Sequence, residues 1–123
     1  MQRDSVLNLP KRGEVYLVNF DPTIGAEKRK TRPALALQND IANRYSPITI
    51  VAAITSRFEE PLYPSEVLLA SGEGGMNVAS VVLLNQIRSV DKQRLIKRLG
   101  VLRPLTMEEI DRALSISLGL APL

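Results

Sequence analysis

Residues 48–54, ITIVAAI, restrict the fold of this chain more than any other segment. They form an almost unbroken apolar run with several β-branched side chains, which predicts a central strand buried on both faces. Other strand-like segments are available to flank it. Residues 14–20 are rich in Val and Tyr and lie between Gly13 and the turn-forming pair Asp21-Pro22. Residues 34–38 follow Pro33, whose missing donor places it at a strand start or on a sheet edge. Residues 65–70, 80–84 and about 96–101 complete the set. Between them, residues 39–47 read as a polar connection, 57–64 as a surface loop, 72–75 as a glycine turn and 91–94 as a short helical turn.

At the C-terminus the pattern changes from strand to helix. Thr106 with Glu109 reads as a capping box, and Leu105 with Ile110 as a hydrophobic staple. Ile110, Ala113, Leu114 and Leu118 share one face, so an amphipathic helix is expected over about 107–118. Short strands joined by turns and closed by one helix predict a mainly-β (α+β) domain, a small antiparallel SH3-like barrel with a C-terminal helix. With 123 residues and 45% hydrophobic content, one folded unit over 11–123 is expected, preceded by a lead-in over 1–10. No apolar run approaches the roughly 20 residues needed to cross a bilayer, and the N-terminal segment lacks a secretory apolar region. The cytoplasm is the expected compartment, with no membrane association.

The chain contains no His and no Cys. The usual neutral-pH acid-base group, the thiol nucleophile and most transition-metal ligands are therefore missing, and no cofactor or metal is expected. Chemistry falls to Arg, Thr, Glu and the backbone. The net charge of +3 is modest, but its distribution is uneven. Residues 26–32 hold Lys28, Arg29, Lys30 and Arg32 against Glu27 alone, and residues 88–103 form a second basic stretch. Two basic stretches around an acidic middle fit a polyanionic partner, although either is also read simply as a solvated face.

Arg32 precedes Pro33, which fixes the local backbone and aims a permanently charged five-donor fork. Thr55 ends the apolar run, where a rigid element hands over to a polar loop. Each also has a structural reading, as a surface arginine and as a turn residue. Neighbouring strand ends in a small barrel would bring the two to one cleft.

The segments Arg12-Gly13-Glu14-Val15, Phe20-Asp21-Pro22-Thr23-Ile24-Gly25-Ala26-Glu27, Thr31-Arg32-Pro33-Ala34-Leu35, Gln38-Asn39-Asp40 and Ile54-Thr55-Ser56 resemble the MazF/PemK family of toxin endoribonucleases. Residues 84–95, LNQIRSVDKQRL, extend the match, which covers about 11–118. The resemblance implies a homodimeric, barrel-like type II toxin that cuts single-stranded RNA (mRNA) without a metal and is neutralised by a cognate antitoxin. It also implies that Arg32 and Thr55 are the catalytic pair. Those residue types suit attack of a ribose 2′-OH on the adjacent phosphorus, because an arginine and a hydroxyl donor stabilise charge on the phosphoryl oxygens. The products would be a 2′,3′-cyclic phosphate and a 5′-hydroxyl.

Some family members use a His in the basic loop and an Asp before the Gln of the later motif. Ala26 and Asn85 occupy those places, which favours the Arg and Thr version. Glu27, the lone carboxylate of the basic loop, is a candidate to orient Arg32 or accept the 2′ proton, and equally a partner for nearby lysines. Gln86 and Asn39 offer donor and acceptor pairs to unstacked bases, or hold loops. Lys28, Lys30, Ser56 and Arg57 are expected to contact RNA, the cations through phosphates. Aromatic residues make up 4% of the chain, so hydrogen bonding rather than extensive stacking is expected to carry specificity. Two alternatives stand beside this reading: a non-enzymatic toxin of the same fold that binds a DNA topoisomerase, and a plain nucleic-acid-binding barrel. Fold alone does not separate them.

Overall fold

The computed structural model describes residues 9–20 and 30–123. Strands β1 (Glu14–Asn19), β2 (Thr31–Ala36), β3 (Ile48–Thr55), β4 (Glu66–Leu69), β5 (Ser80–Asp91) and β6 (Leu95–Val101) join helices α1 (Asp40–Tyr45) and α2 (Pro104–Ser117). All six strands belong to one antiparallel sheet in the order β4-β5-β3-β2-β1-β6. The apolar run is thus an inner strand, as its composition predicts. Val51 and Ala52 point to opposite faces and are both buried.

The sheet separates two apolar clusters. One contains Val15, Leu35, Ala52, Ile54, Leu69, Val82 and Leu84 and is covered by α2 through Ile110 and Ala113. Complete burial of a side chain the size of Ile110 is worth about 2–3 kcal/mol, which anchors the helix to the sheet. The other cluster gathers Tyr16, Val18, Ala34, Val51, Val90 and Leu95, with Phe20 at its margin.

The mainly-β, antiparallel expectation with a C-terminal helix holds, whereas hydrogen bonds do not close the sheet into a barrel. Among the described residues β4 and β6 are the two edges. The 3-10 turn Glu73–Gly75 lies across the gap instead and packs against β6. That approach excludes side chains: a Cβ on Gly75 would lie 2.0 Å from the Leu99 carbonyl oxygen, and one on Gly100 would lie 2.5 Å from the Gly74 carbonyl carbon. Two glycines therefore let backbone meet backbone where a ladder would otherwise be needed.

Three elements differ from their sequence reading. Residues 40–45 form α1 rather than a polar connection, because the Asn39 side chain accepts a hydrogen bond from the Ala42 amide at 2.8 Å and Asp40 and Arg44 sit at favourable ends. Residues 80–91 form one long strand rather than a short one over 80–84. α2 begins at Pro104 rather than near Met107. Pro104 presets the first helical φ, and the carboxylate of Glu73, thirty residues away, accepts hydrogen bonds from the Arg103 amide at 3.1 Å and its guanidinium at 3.0 Å. The expected capping box and staple are consequently absent: Thr106 lies inside the helix and is buried, and Leu105 is exposed, as is Leu118 beyond the helix end. No helix among the described residues is long and apolar enough to cross a membrane.

Candidate active site

The register of the inner strands brings Arg32 and Thr55 together. Ala34 pairs with Ala53, and two residues further along each strand, on the same face, stand Arg32 and Thr55. Arg32 also lies opposite Val18 of β1, and beyond that pair the Phe20 amide donates to the Lys30 carbonyl at 2.8 Å. Phe20, Lys30, Arg32 and Thr55 therefore share one end of the sheet.

β5 supplies the facing wall through an irregularity. One step along β3, from Ala52 to Ala53, corresponds to four along β5, from Ile87 to Leu83. Residues 84–86 consequently have no partner on β3. Leu84 turns its amide to the Ser65 carbonyl and buries its side chain, while Asn85 and Gln86 are exposed. Bulges of this kind re-aim side chains next to functional sites. Gln86, Ile87 and Arg88 line the site, and Asn85 does not.

The result is a hollow of about 1030 Å³ that includes Lys30, Arg32, Thr55, Arg57, Gln86 and Arg88. Both phenylalanines of the chain, Phe20 and Phe58, reach it together with Tyr63, so the scarce aromatic residues are concentrated here. The Arg88 guanidinium lies over the Phe20 ring at 4.9 Å, a cation–π contact that flattens and orients it. Glu59, Glu60 and Glu66 form an acidic side contributed by the segment after β3 and the start of β4. The hollow thus has a cationic side and an acidic side.

The Thr55 hydroxyl accepts a hydrogen bond from the Arg57 amide at 3.0 Å and donates to the Arg57 carbonyl at 3.3 Å. The first contact fixes the corner leaving β3. The second is long for a hydroxyl donor, so exchanging it for an incoming oxygen costs little. Among the described residues the side chains of Arg32, Arg57 and Gln86 make no hydrogen bond or ion pair of their own. A second, smaller hollow of about 370 Å³ shares Arg32, Ile54, Thr55 and Arg57 with the first and adds Pro33, Ser56, Met76, Asn77 and Val78.

Of the residues singled out in the sequence, Arg32, Thr55, Lys30, Arg57 and Gln86 meet in the larger hollow and Ser56 lines the smaller. Asn39 lines neither and caps α1. Glu27 and Lys28 lie outside the described residues. Phe20, Phe58, Tyr63, Asn77 and Val78 were not anticipated. Position after the last residue of β1 was the available signal for Phe20, whereas nothing local marks the others.

Guanidinium groups and an amide without partners among the described residues, held on strand ends around an open hollow, define a small mainly-β protein with an exposed cationic cleft. Comparison with known proteins makes the assignment specific. Residues 11–118 match the model of the PemK-like, MazF-like toxins of type II toxin-antitoxin systems, and the chain belongs to that family. Endoribonuclease EndoA of Bacillus subtilis (strain 168) is 44% identical over 110 residues, spanning 89% of this chain and 95% of the relative. Among solved structures, the MazE-MazF complex of Deinococcus radiodurans is similar with a TM-score of 0.75 and 30% identity, covering 92% of this chain and 98% of that one. An endoribonuclease in complex with its cognate antitoxin from Mycobacterial species gives a TM-score of 0.75 and 26% identity, covering 91% and 97%.

Proposed function

We propose that this toxin is a metal-independent, sequence-specific endoribonuclease that cuts single-stranded RNA by attack of the 2′-OH on the adjacent phosphate. The observation that carries the reading is the placement of Arg32 and Thr55 on one face of adjacent strand ends, above a hollow with further cations. As the 2′ oxygen attacks phosphorus, negative charge accumulates on the two non-bridging oxygens. The Arg32 guanidinium, which makes no hydrogen bond or ion pair among the described residues, donates to them. The Thr55 hydroxyl releases its long bond to the Arg57 carbonyl and adds a second donor. The P–O5′ bond breaks and the departing oxygen takes a proton from solvent water, leaving a 2′,3′-cyclic phosphate on one fragment and a 5′-hydroxyl on the other. Glu27 is assigned to orient Arg32 or accept the 2′ proton.

Lys30 and Arg57 hold flanking phosphates, while Gln86, presented by the β5 bulge, reads a base edge. Lys28 adds to the phosphate contacts from the basic loop. The protein acts as a homodimer and is restrained by a cognate antitoxin, consistent with the antitoxin complexes of its structural relatives. An acidic, disordered antitoxin segment that orders on binding would complement the cationic side of the hollow.

The test is incubation of the purified protein with a long RNA in EDTA, followed by sequencing of the cut ends. Cleavage at a short recurring sequence, leaving cyclic phosphate and 5′-hydroxyl termini, is expected. Strict dependence on added magnesium, or no cleavage, would overturn the reading. The topoisomerase-binding alternative gives no role to the paired Arg32 and Thr55.

A further inference from the structure

The smaller hollow has no assigned occupant. It borders the larger one along Arg32, Ile54, Thr55 and Arg57, so a phosphate held by Arg32 and Thr55 lies on the ridge between the two. RNA continues in both directions from the phosphate that is cut. The two hollows open on opposite sides of that shared ridge, so each offers one of the two directions a place.

The two differ in chemistry. Beyond the shared arginines, the smaller hollow offers Pro33, Met76 and Val78 as an apolar lining and only neutral polar groups, Asn77 and Ser56. Nothing there would attract a phosphate, whereas a flat, neutral base suits it. Its 370 Å³ lies at the low end of volumes that enclose small ligands, enough for one nucleotide and not several. Val78 is 54% exposed, an apolar side chain beside a cationic site that contributes little to either core cluster.

The wall carrying these residues is held still. Ser71 donates through its hydroxyl to the Asn77 carbonyl at 2.8 Å, and Ser80 likewise to the Val78 carbonyl at 3.0 Å. The Gly72 amide donates to the Met76 carbonyl at 2.6 Å, and Gly75 packs directly on Leu99. Backbone bonds are thereby satisfied on both sides of Asn77, while its side-chain amide makes no hydrogen bond among the described residues. A rigid wall with a free donor and acceptor recognises a base edge at low entropic cost.

We propose that the smaller hollow is a subsite for the single nucleotide flanking the cleaved phosphate, with its base against Pro33, Met76 and Val78 and its edge read by Asn77. The proposal rests on the endoribonuclease reading and adds a specificity residue to it.

It is tested by cutting an RNA pool randomised around the target site with the wild-type protein, Asn77→Ala and Val78→Trp, and sequencing the ends. The wild type should prefer particular bases at one position immediately beside the cut. Asn77→Ala should reduce that preference about tenfold, as expected for loss of a paired base contact, and leave more distant positions unchanged. Val78→Trp, which fills the hollow, should slow cutting of all sequences at least tenfold with an unaltered melting temperature. Unchanged preference at both flanking positions in Asn77→Ala overturns the proposal, as does a wild type indifferent to base there. Weaker antitoxin binding with intact cut-site preference would assign the hollow to protein and also overturn it. Failure of the wild type to cut any RNA would instead reject the endoribonuclease reading on which the proposal stands.

Discussion

The two ends of β3 use polar residues in opposite ways. At the Ile48 end, Asn43 of α1 accepts from the Gln38 amide at 2.9 Å and from the Thr49 hydroxyl at 2.7 Å, and donates to the Gln38 carbonyl at 2.9 Å. Lys92 completes the knot by donating to the Asn43 carbonyl. Asn43 and Thr49 are almost wholly buried, and no buried side-chain polar atom among the described residues lacks a partner. At the Thr55 end, Arg32, Arg57 and Gln86 stand exposed with their side chains uncommitted. The same strands carry both ends, so rigidity is common to both. What differs is whether polar groups are consumed by one another or kept for something else. Groups that satisfy each other hold the fold, and groups held rigidly without partners are available to a ligand.

The largest expected effect tests the open end. Arg32→Ala should lower RNA cleavage at least about 100-fold, the scale of losing a principal donor to a developing oxyanion. Because Arg32 makes no hydrogen bond or ion pair among the described residues, the melting temperature of the variant should stay within about 2 °C of wild type. Thr55→Ala should slow cleavage less, about tenfold, with RNA affinity little changed, since the hydroxyl is one donor of two. Unfolding of Arg32→Ala would make it a structural residue and erase the contrast between the two ends.

The converse applies at the closed end. Asn43→Ala strands the buried Thr49 hydroxyl, while the Gln38 side-chain amide keeps the Ile48 carbonyl, and should cost about 2 kcal/mol of stability by urea denaturation, the scale of one orphaned buried group. Cleavage per folded molecule, measured below the unfolding transition, should remain that of the wild type. A selective fall in cleavage without loss of stability would show that the buried knot shapes the distant site and that the two ends are not independent.

These ends were not equally legible in the sequence. The central strand could be read because two-sided burial demands an apolar run, and Arg32 and Thr55 could be placed because strand ends and family motifs mark them. α1 was missed since six residues are too few to show a helical period, and its cap, Asn39, was read equally as a base contact or as a residue holding a loop. The β5 bulge was invisible because it depends on register with another strand, so the sequence placed residues 85–88 beyond a short strand without showing how they are presented. The start of α2 was misplaced because its capping carboxylate, Glu73, arrives from thirty residues away. Aromatic content gave no hint that both phenylalanines converge on one hollow. Local chemistry was readable, while convergence of distant segments required the fold.

The smallest expected effect lies at a site that mixes the two behaviours. Glu73 sits in the turn that leads to Met76, Asn77 and Val78, and its side chain is only 6% exposed, yet it is paired with a largely solvated Arg103. Burial alone would raise the Glu73 carboxyl, but hydrogen bonds from Arg103 and Thr106 outweigh it and hold the group below the ordinary carboxylate range. A folded value below the unfolded one means that the ionised carboxylate stabilises the fold at all pH above the unfolded value. That contribution is lost as pH falls through the folded value. The wild-type melting temperature should therefore decline on acidification below about pH 5, and Glu73→Gln should show a shallower decline from a neutral-pH value lower by only a few degrees. Parallel acid slopes in the two proteins would mean that other carboxylates carry the acid sensitivity and that the Glu73 bond serves only to place the turn. A shallower slope would show that the ionised Glu73 bond to Arg103, which ties the turn before Met76 to the start of α2, carries part of the fold's acid sensitivity.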